Sequence, residues 1–117
     1  MDTSAFLNNY WPLLLLATWY GYKWVAARRV RGLLPALRQQ GATLVDVRSV
    51  AEFAGASAAG CVNIPLPELK SRLAEIPQGA PVVVCCASGT RSAMAATVLR
   101  QNGYTQVYNA GAWRNLQ

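Results

Sequence analysis

The chain has 117 residues, 53% of them apolar and 14% charged. That length suits one domain, and so large an apolar fraction excludes a disordered chain. Eleven Lys and Arg against five Asp and Glu give a net charge of +6. The excess is local: Lys23, Arg28, Arg29, Arg31 and Arg38 crowd one short segment. From residue 39 onward Arg48, Lys70, Arg72, Arg91, Arg100 and Arg114 face Asp46, Glu52, Glu68 and Glu75. A basic face for nucleic acid is not supported, and no nucleic-acid partner is expected.

The chain begins with an uncharged stretch from Thr3 to Tyr22. About twenty helical residues span a bilayer core, and Tyr10, Trp11, Trp19, Tyr20, Tyr22 and Trp24 sit toward its ends as interface aromatics do. A leader peptide fits poorly, because the start is Met1-Asp2 and Thr18-Trp19-Tyr20 is no cleavage signature. A buried or interfacial helix is the other option, since Asn8 and Asn9 weaken the span. The expectation is one transmembrane helix with a basic juncture over residues 1–31, followed by a domain over residues 32–117. Arg28, Arg29 and Arg31 then place the N-terminus outside and the domain in the cytoplasm, at a bacterial inner membrane. Such a helix could also pair two copies of the chain.

Gly32 interrupts the basic juncture, and Pro35 suits the first turn of a helix ending at Gln40 with Gly41 as cap. Residues 42–47 are short, apolar and β-branched, and read as a buried strand. Ser49 to Phe53 reads as a helical turn with Glu52 near Arg48, and residues 54–60 as a loop. Residues 61–64 form a second strand, and 67–76 a helix with Leu66, Leu69, Leu73 and Ile76 on one face. Val82-Val83-Val84-Cys85 is the strongest strand signal, followed by a helix over 92–102 and a last strand over 105–108. Alternating strands and helices predict an α/β fold with a parallel sheet flanked by helices.

Three cysteines, Cys61, Cys85 and Cys86, are an odd number with two adjacent, which is no disulfide framework. The chain has no His. That removes a Ser-His-Asp or Cys-His site and any His-containing metal site, so no metal and no cofactor are expected.

Chemistry concentrates in Cys86-Ala87-Ser88-Gly89-Thr90-Arg91, between the strongest strand and the helix after it. Ligands in α/β sheets gather at the carboxyl ends of strands. A cysteine there meets loop amides and a helix N-terminus, and both favour thiolate. The same amides cradle an anion. Gly89 allows a turn that other residues resist, and Arg91 can fork onto an oxyanion or brace the loop. A nucleophilic sulfur in an anion nest suits an anion carrying transferable sulfur, phosphorus or arsenic.

The chain resembles the single-domain rhodaneses, which are thiosulfate sulfurtransferases. The resemblance lies in Leu44-Val45-Asp46-Val47-Arg48, Glu52-Phe53, Gly60-Cys61-Val62-Asn63-Ile64-Pro65-Leu66, Val82 through Ser92, Ala95-Ala96, Leu99, Gly103-Tyr104 and Val107. The closing Asn109-Ala110-Gly111 is similar to small phage-shock-type members. The resemblance implies a rhodanese-like fold with Cys86 as nucleophile and Ala87, Ser88, Gly89, Thr90 and Arg91 as the substrate-binding loop. Asp46 and Arg48 would support that loop and pair with Glu52. Thiosulfate or a persulfide would load sulfur onto Cys86, and a thiol, or cyanide in an assay, would remove it. The sequence departs from the family at Ser57, where a His is usual, and at Cys85, where an aromatic is usual. Arg91 is the only basic residue of the loop, which favours a persulfide donor over thiosulfate.

Two other readings compete. Cys phosphatases and arsenate reductases place Arg after Cys and five intervening residues, a spacing met by Cys85 and Arg91. A non-catalytic membrane module would use the same surface only to hold a partner.

Overall fold

The computed structural model describes residues 3–117. Helix α1 (Thr3–Gln39) is followed by β1 (Thr43–Asp46), α2 (Val50–Gly55), β2 (Cys61–Asn63), α3 (Leu66–Leu69), β3 (Val82–Cys86), α4 (Thr90–Gln101) and β4 (Val107–Ala112). Short 3-10 helices cover Lys70–Glu75 and Trp113–Leu116. All strand pairs are parallel, in the order β2-β1-β3-β4.

Both faces of this sheet are covered, so its central strand carries apolar residues in unbroken series. Every residue of β3 is buried. Its side chains alternate: Val82, Val84 and Cys86 join the core beneath α3 and α4, with Leu69, Ala95, Ala96 and Leu99. Val83 and Cys85 join the opposite core, with Val30, Leu34 and Leu37 of α1. The two neighbouring cysteines therefore face opposite layers.

The N-terminal expectation is corrected. Among the described residues no helix is long and apolar enough to cross a membrane. Helix α1 has the length but not the hydropathy. Only Leu13–Ala17 is a strongly apolar run, and Asn8, Asn9, Pro12, Thr18, Gly21 and the Tyr and Trp residues dilute the rest. The predicted span, its outside N-terminus and the cytoplasmic, inner-membrane placement of the domain lapse with it, as does the basis for pairing through a membrane helix. Met1 and Asp2, used against a leader peptide, lie outside the described residues.

Nor is there a separate helix starting at Pro35. Helix α1 runs unbroken through Gly32 and Pro35. A helical Gly costs about 1 kcal/mol, and burial of Val30, Leu34 and Leu37 (spacing 4 and 3) against the sheet offsets that. No strand precedes α1 among the described residues.

The predicted helix over 67–76 is instead one turn of α3 and a 3-10 segment kinked at Arg72 (φ −116°, ψ 19°). The Tyr104 hydroxyl stands at the end of that segment, 2.6 Å from the Ile76 carbonyl and 3.0 Å from that of Leu73. Helix α4 begins at Thr90, two residues earlier than expected, and β4 runs over Val107–Ala112 rather than 105–108. Pairing of β3 with β4 shifts register between Val84 and Cys85: Val84 opposes Asn109, and Cys85 opposes Gly111. The extra residue, Ala110, makes a bulge that bends β4 beside the end of β3.

Candidate active site

Strand β3 ends on Cys86, and the chain turns back over it before α4 starts. The turn depends on Gly89, whose φ of +108° is open to glycine and strained for other residues. A Cβ there would also approach the Gly111 Cα to 3.3 Å. In this geometry the Gly89 amide donates to Cys86 Sγ at 2.8 Å. Gly89 is buried, whereas Ala87, Ser88 and Thr90 line the exposed rim of the loop.

Cys86 is 1% exposed. Burial pushes its thiol up, but the Ser92 hydroxyl and the backbone of Ser92, Gly89 and Ser88 outweigh that, and the net shift is downward. Ser92, fully buried, stands 3.4 Å from Cys86 Sγ. Its oxygen also lies 2.6 Å from Asn109 Oδ1 and 3.0 Å from the Gly89 carbonyl. A hydroxyl has one proton to give. With Cys86 as thiol, Ser92 accepts from sulfur and donates to one of those oxygens. With Cys86 as thiolate, it must turn its proton to sulfur. The Gly111 amide donates to Asn109 Oδ1 at 2.9 Å, so the β4 bulge orients this side chain.

Arg91 braces the loop rather than pointing at open space. Its guanidinium meets both Glu52 oxygens, at 2.7 and 3.0 Å. That bond, with the Ser49 amide of the capping box, holds the Glu52 carboxyl down at about 2. Glu52 thus caps α2 and anchors α4 together.

Asp46 and Arg48 lie at the end of β1, both buried. Arg48 Nε donates to Asp46 at 2.9 and 3.0 Å, and Nη2 at 2.7 Å. The rest of the guanidinium reaches the carbonyls of Ala56 at 2.7 Å and Glu52 at 3.4 Å, and stacks 4.8 Å from the Trp113 ring centre. The pair therefore holds α2 by its backbone, while the Glu52 carboxylate goes to Arg91. Asn63 donates to the carbonyls of Asp46 and Arg48, at 3.0 and 2.9 Å, and pins the turn after β1. Ser57, at the position usual for His, is exposed.

Cys85 is fully buried on the α1 face. Its hydrogen bond with Cys61, and its burial, hold the thiol far above its ordinary range. A phosphatase-type nucleophile at Cys85 would point away from the loop amides. Sequence reasoning assigned no role to Ser92 or Asn109. Both stood in the family-like segments, but only the bulge in β4 brings them together at the sulfur.

The model of the rhodanese-like domain matches residues 31–114. The chain belongs to the rhodanese-like family. It is 47% identical over 68 residues to the uncharacterized protein YqhL of Bacillus subtilis, covering 58% of this chain and 54% of that protein. The chain thus spans about half of that relative's length. It is 36% identical over 74 residues to the thiosulfate sulfurtransferase PspE of Escherichia coli, covering 62% of this chain and 71% of that one. Among solved structures, the human single-domain sulfurtransferase TSTD1 superposes with a TM-score of 0.59 at 35% identity, over 75% of this chain and 88% of that chain.

Proposed function

We propose that the chain is a sulfurtransferase of the thiosulfate sulfurtransferase type, with residues 32–117 as the rhodanese-like unit and Cys86 as nucleophile. The observation that carries this reading is the seat of the sulfur, a thiol at a strand end with the Gly89 amide 2.8 Å from it. Its acidity is raised by the surrounding donors.

The Cys86 thiolate attacks the outer sulfur of thiosulfate, or of a persulfide donor. A bond forms between Cys86 Sγ and that sulfur. The old sulfur–sulfur bond breaks, and its electron pair leaves with sulfite or with the donor thiolate. The product on the enzyme is a persulfide anion, which the backbone of Ser88, Gly89 and Ser92 stabilises as it did the thiolate. A thiol acceptor then takes the outer sulfur and Cys86 returns as thiolate. Arg91 keeps the loop in shape through Glu52, and Asp46 with Arg48 supports α2 from below.

Intact mass after incubation with thiosulfate or a small persulfide tests the reading. One added sulfur on the wild type and none on Cys86→Ser is expected. No added sulfur from any donor would leave a binding module. Loss of transfer on Cys85→Ser instead, with turnover of phosphate esters, would favour the phosphatase reading.

A further inference from the structure

The loop's own cation is spent on Glu52, yet a second cation stands beside the loop. Lys23 of α1 lies over Gly89: a Cβ on Gly89 would sit 3.6 Å from Lys23 Cε and 3.8 Å from Nζ. Lys23 forms no ion pair among the described residues, and its ammonium lies 5.6 Å from the centre of the Trp19 ring.

Lys23 is part of a groove of about 540 Å³ between α1 and α4 that ends at Gly89. Trp19, Tyr22 and Met94 give it apolar walls, and Arg100 adds a second positive charge. Among the described residues, no Asp or Glu lines it. A bare oxyanion is far smaller than this space, whereas volumes of about 300–1,000 Å³ suit organic ligands. One sign of charge in a cleft concentrates ligands of the other sign.

We propose that this groove binds the sulfur acceptor, and that the acceptor is an organic thiol bearing carboxylates. The inference rests on the sulfurtransferase reading for its chemistry. The acceptor's carboxylate meets Lys23, its carbon chain lies against Trp19 and Met94, and its thiolate is delivered at the Gly89 end. That thiolate attacks the outer sulfur of the Cys86 persulfide. The new sulfur–sulfur bond forms on the acceptor, and the electron pair of the broken bond stays on Cys86 Sγ.

Two measurements on the full chain test this. The first is binding of S-methylmercaptosuccinate, a dicarboxylate thioether that cannot accept sulfur, read from the Trp19 indole signal by NMR. Saturable binding is expected in the wild type and in Lys23→Arg, and at least about tenfold weaker binding in Lys23→Glu, the loss of one favourable charge contact. Absence of wild-type binding, or equal binding by Lys23→Glu, overturns the groove proposal whether or not sulfur is transferred. The second compares KM for mercaptosuccinate and 2-mercaptoethanol on enzyme loaded with persulfide. Lys23→Glu should raise only the first, and an equal change in both overturns the proposal. A wild type that binds the thioether but never loads sulfur would sink the sulfurtransferase reading and leave the groove as an anion site.

Discussion

Arg91 and Glu52 meet side by side through two hydrogen bonds of 2.7 and 3.0 Å, tying the first turn of α4 to α2 across 39 residues of sequence. The contact lowers the Glu52 carboxyl from 4.5 to about 2. A carboxyl lowered in the folded state adds stability above its unfolded pKa and loses it as pH falls through the folded one. The contribution of Glu52 should therefore be complete above about pH 4.5 and gone near pH 2. Thermal melts of wild type and Glu52→Gln should differ at pH 7 and converge as the pH drops through that window. A constant difference across it would show that the pair adds nothing to stability.

Ser92 is the side chain that answers a charge on Cys86. Ser92→Ala removes a group that favours the thiolate, while the Gly89 amide remains. The pH midpoint for alkylation of the variant should lie above that of the wild type, whose own midpoint should fall below 9.0. Melting should change little beside that shift, since the hydroxyl is small. An unmoved midpoint would mean that the backbone amides alone set the acidity of Cys86.

The buried pair below the loop makes a different kind of demand. Arg48→Ala would leave the Asp46 carboxylate, fully buried, without its guanidinium. Removing one partner of such a pair typically costs about 3–5 kcal/mol. Asp46→Asn with Arg48→Met should cost clearly less than Arg48→Ala alone, because no charge is then stranded. Urea denaturation of the three proteins checks the order. Equal losses would place the role of Arg48 in its stacking on Trp113 rather than in its charge.

Features written in local pattern were legible in the sequence. The Val82–Cys85 run predicted the central strand because burial on both faces demands continuous apolar residues. The cysteine, small-residue turn, glycine and arginine predicted the loop because each answers a requirement of the next. The N-terminal segment misled because absence of charge was taken for hydropathy, and eleven of its twenty residues are Asn, Tyr, Trp, Thr, Gly or Pro. The 67–76 segment misled because Leu66, Leu69, Leu73 and Ile76 carry the α-helical period, yet the chain leaves α geometry after Leu69 and kinks at Arg72. No local pattern could pair Arg91 with Glu52, set Lys23 beside Gly89, or show that one extra residue in β4 would turn Asn109 toward Ser92. Those relations exist only once the sheet is assembled.

Helix α1 also has a mechanical consequence. Lys23, Val30, Leu34 and Leu37 are spaced by seven, four and three residues, so they share one stripe of an unbroken helix. Seven residues of rise separate Lys23 from Val30 by about 10 Å. The helix is thus a lever whose short arm is bedded in the core and whose long arm carries the ammonium. A change as slight as Val30→Ala could tilt it and move the charge without altering any residue of the groove. On the groove proposal, selectivity for one acceptor over another would then drift through repacking in the interior, with no residue of the Cys86 loop changed.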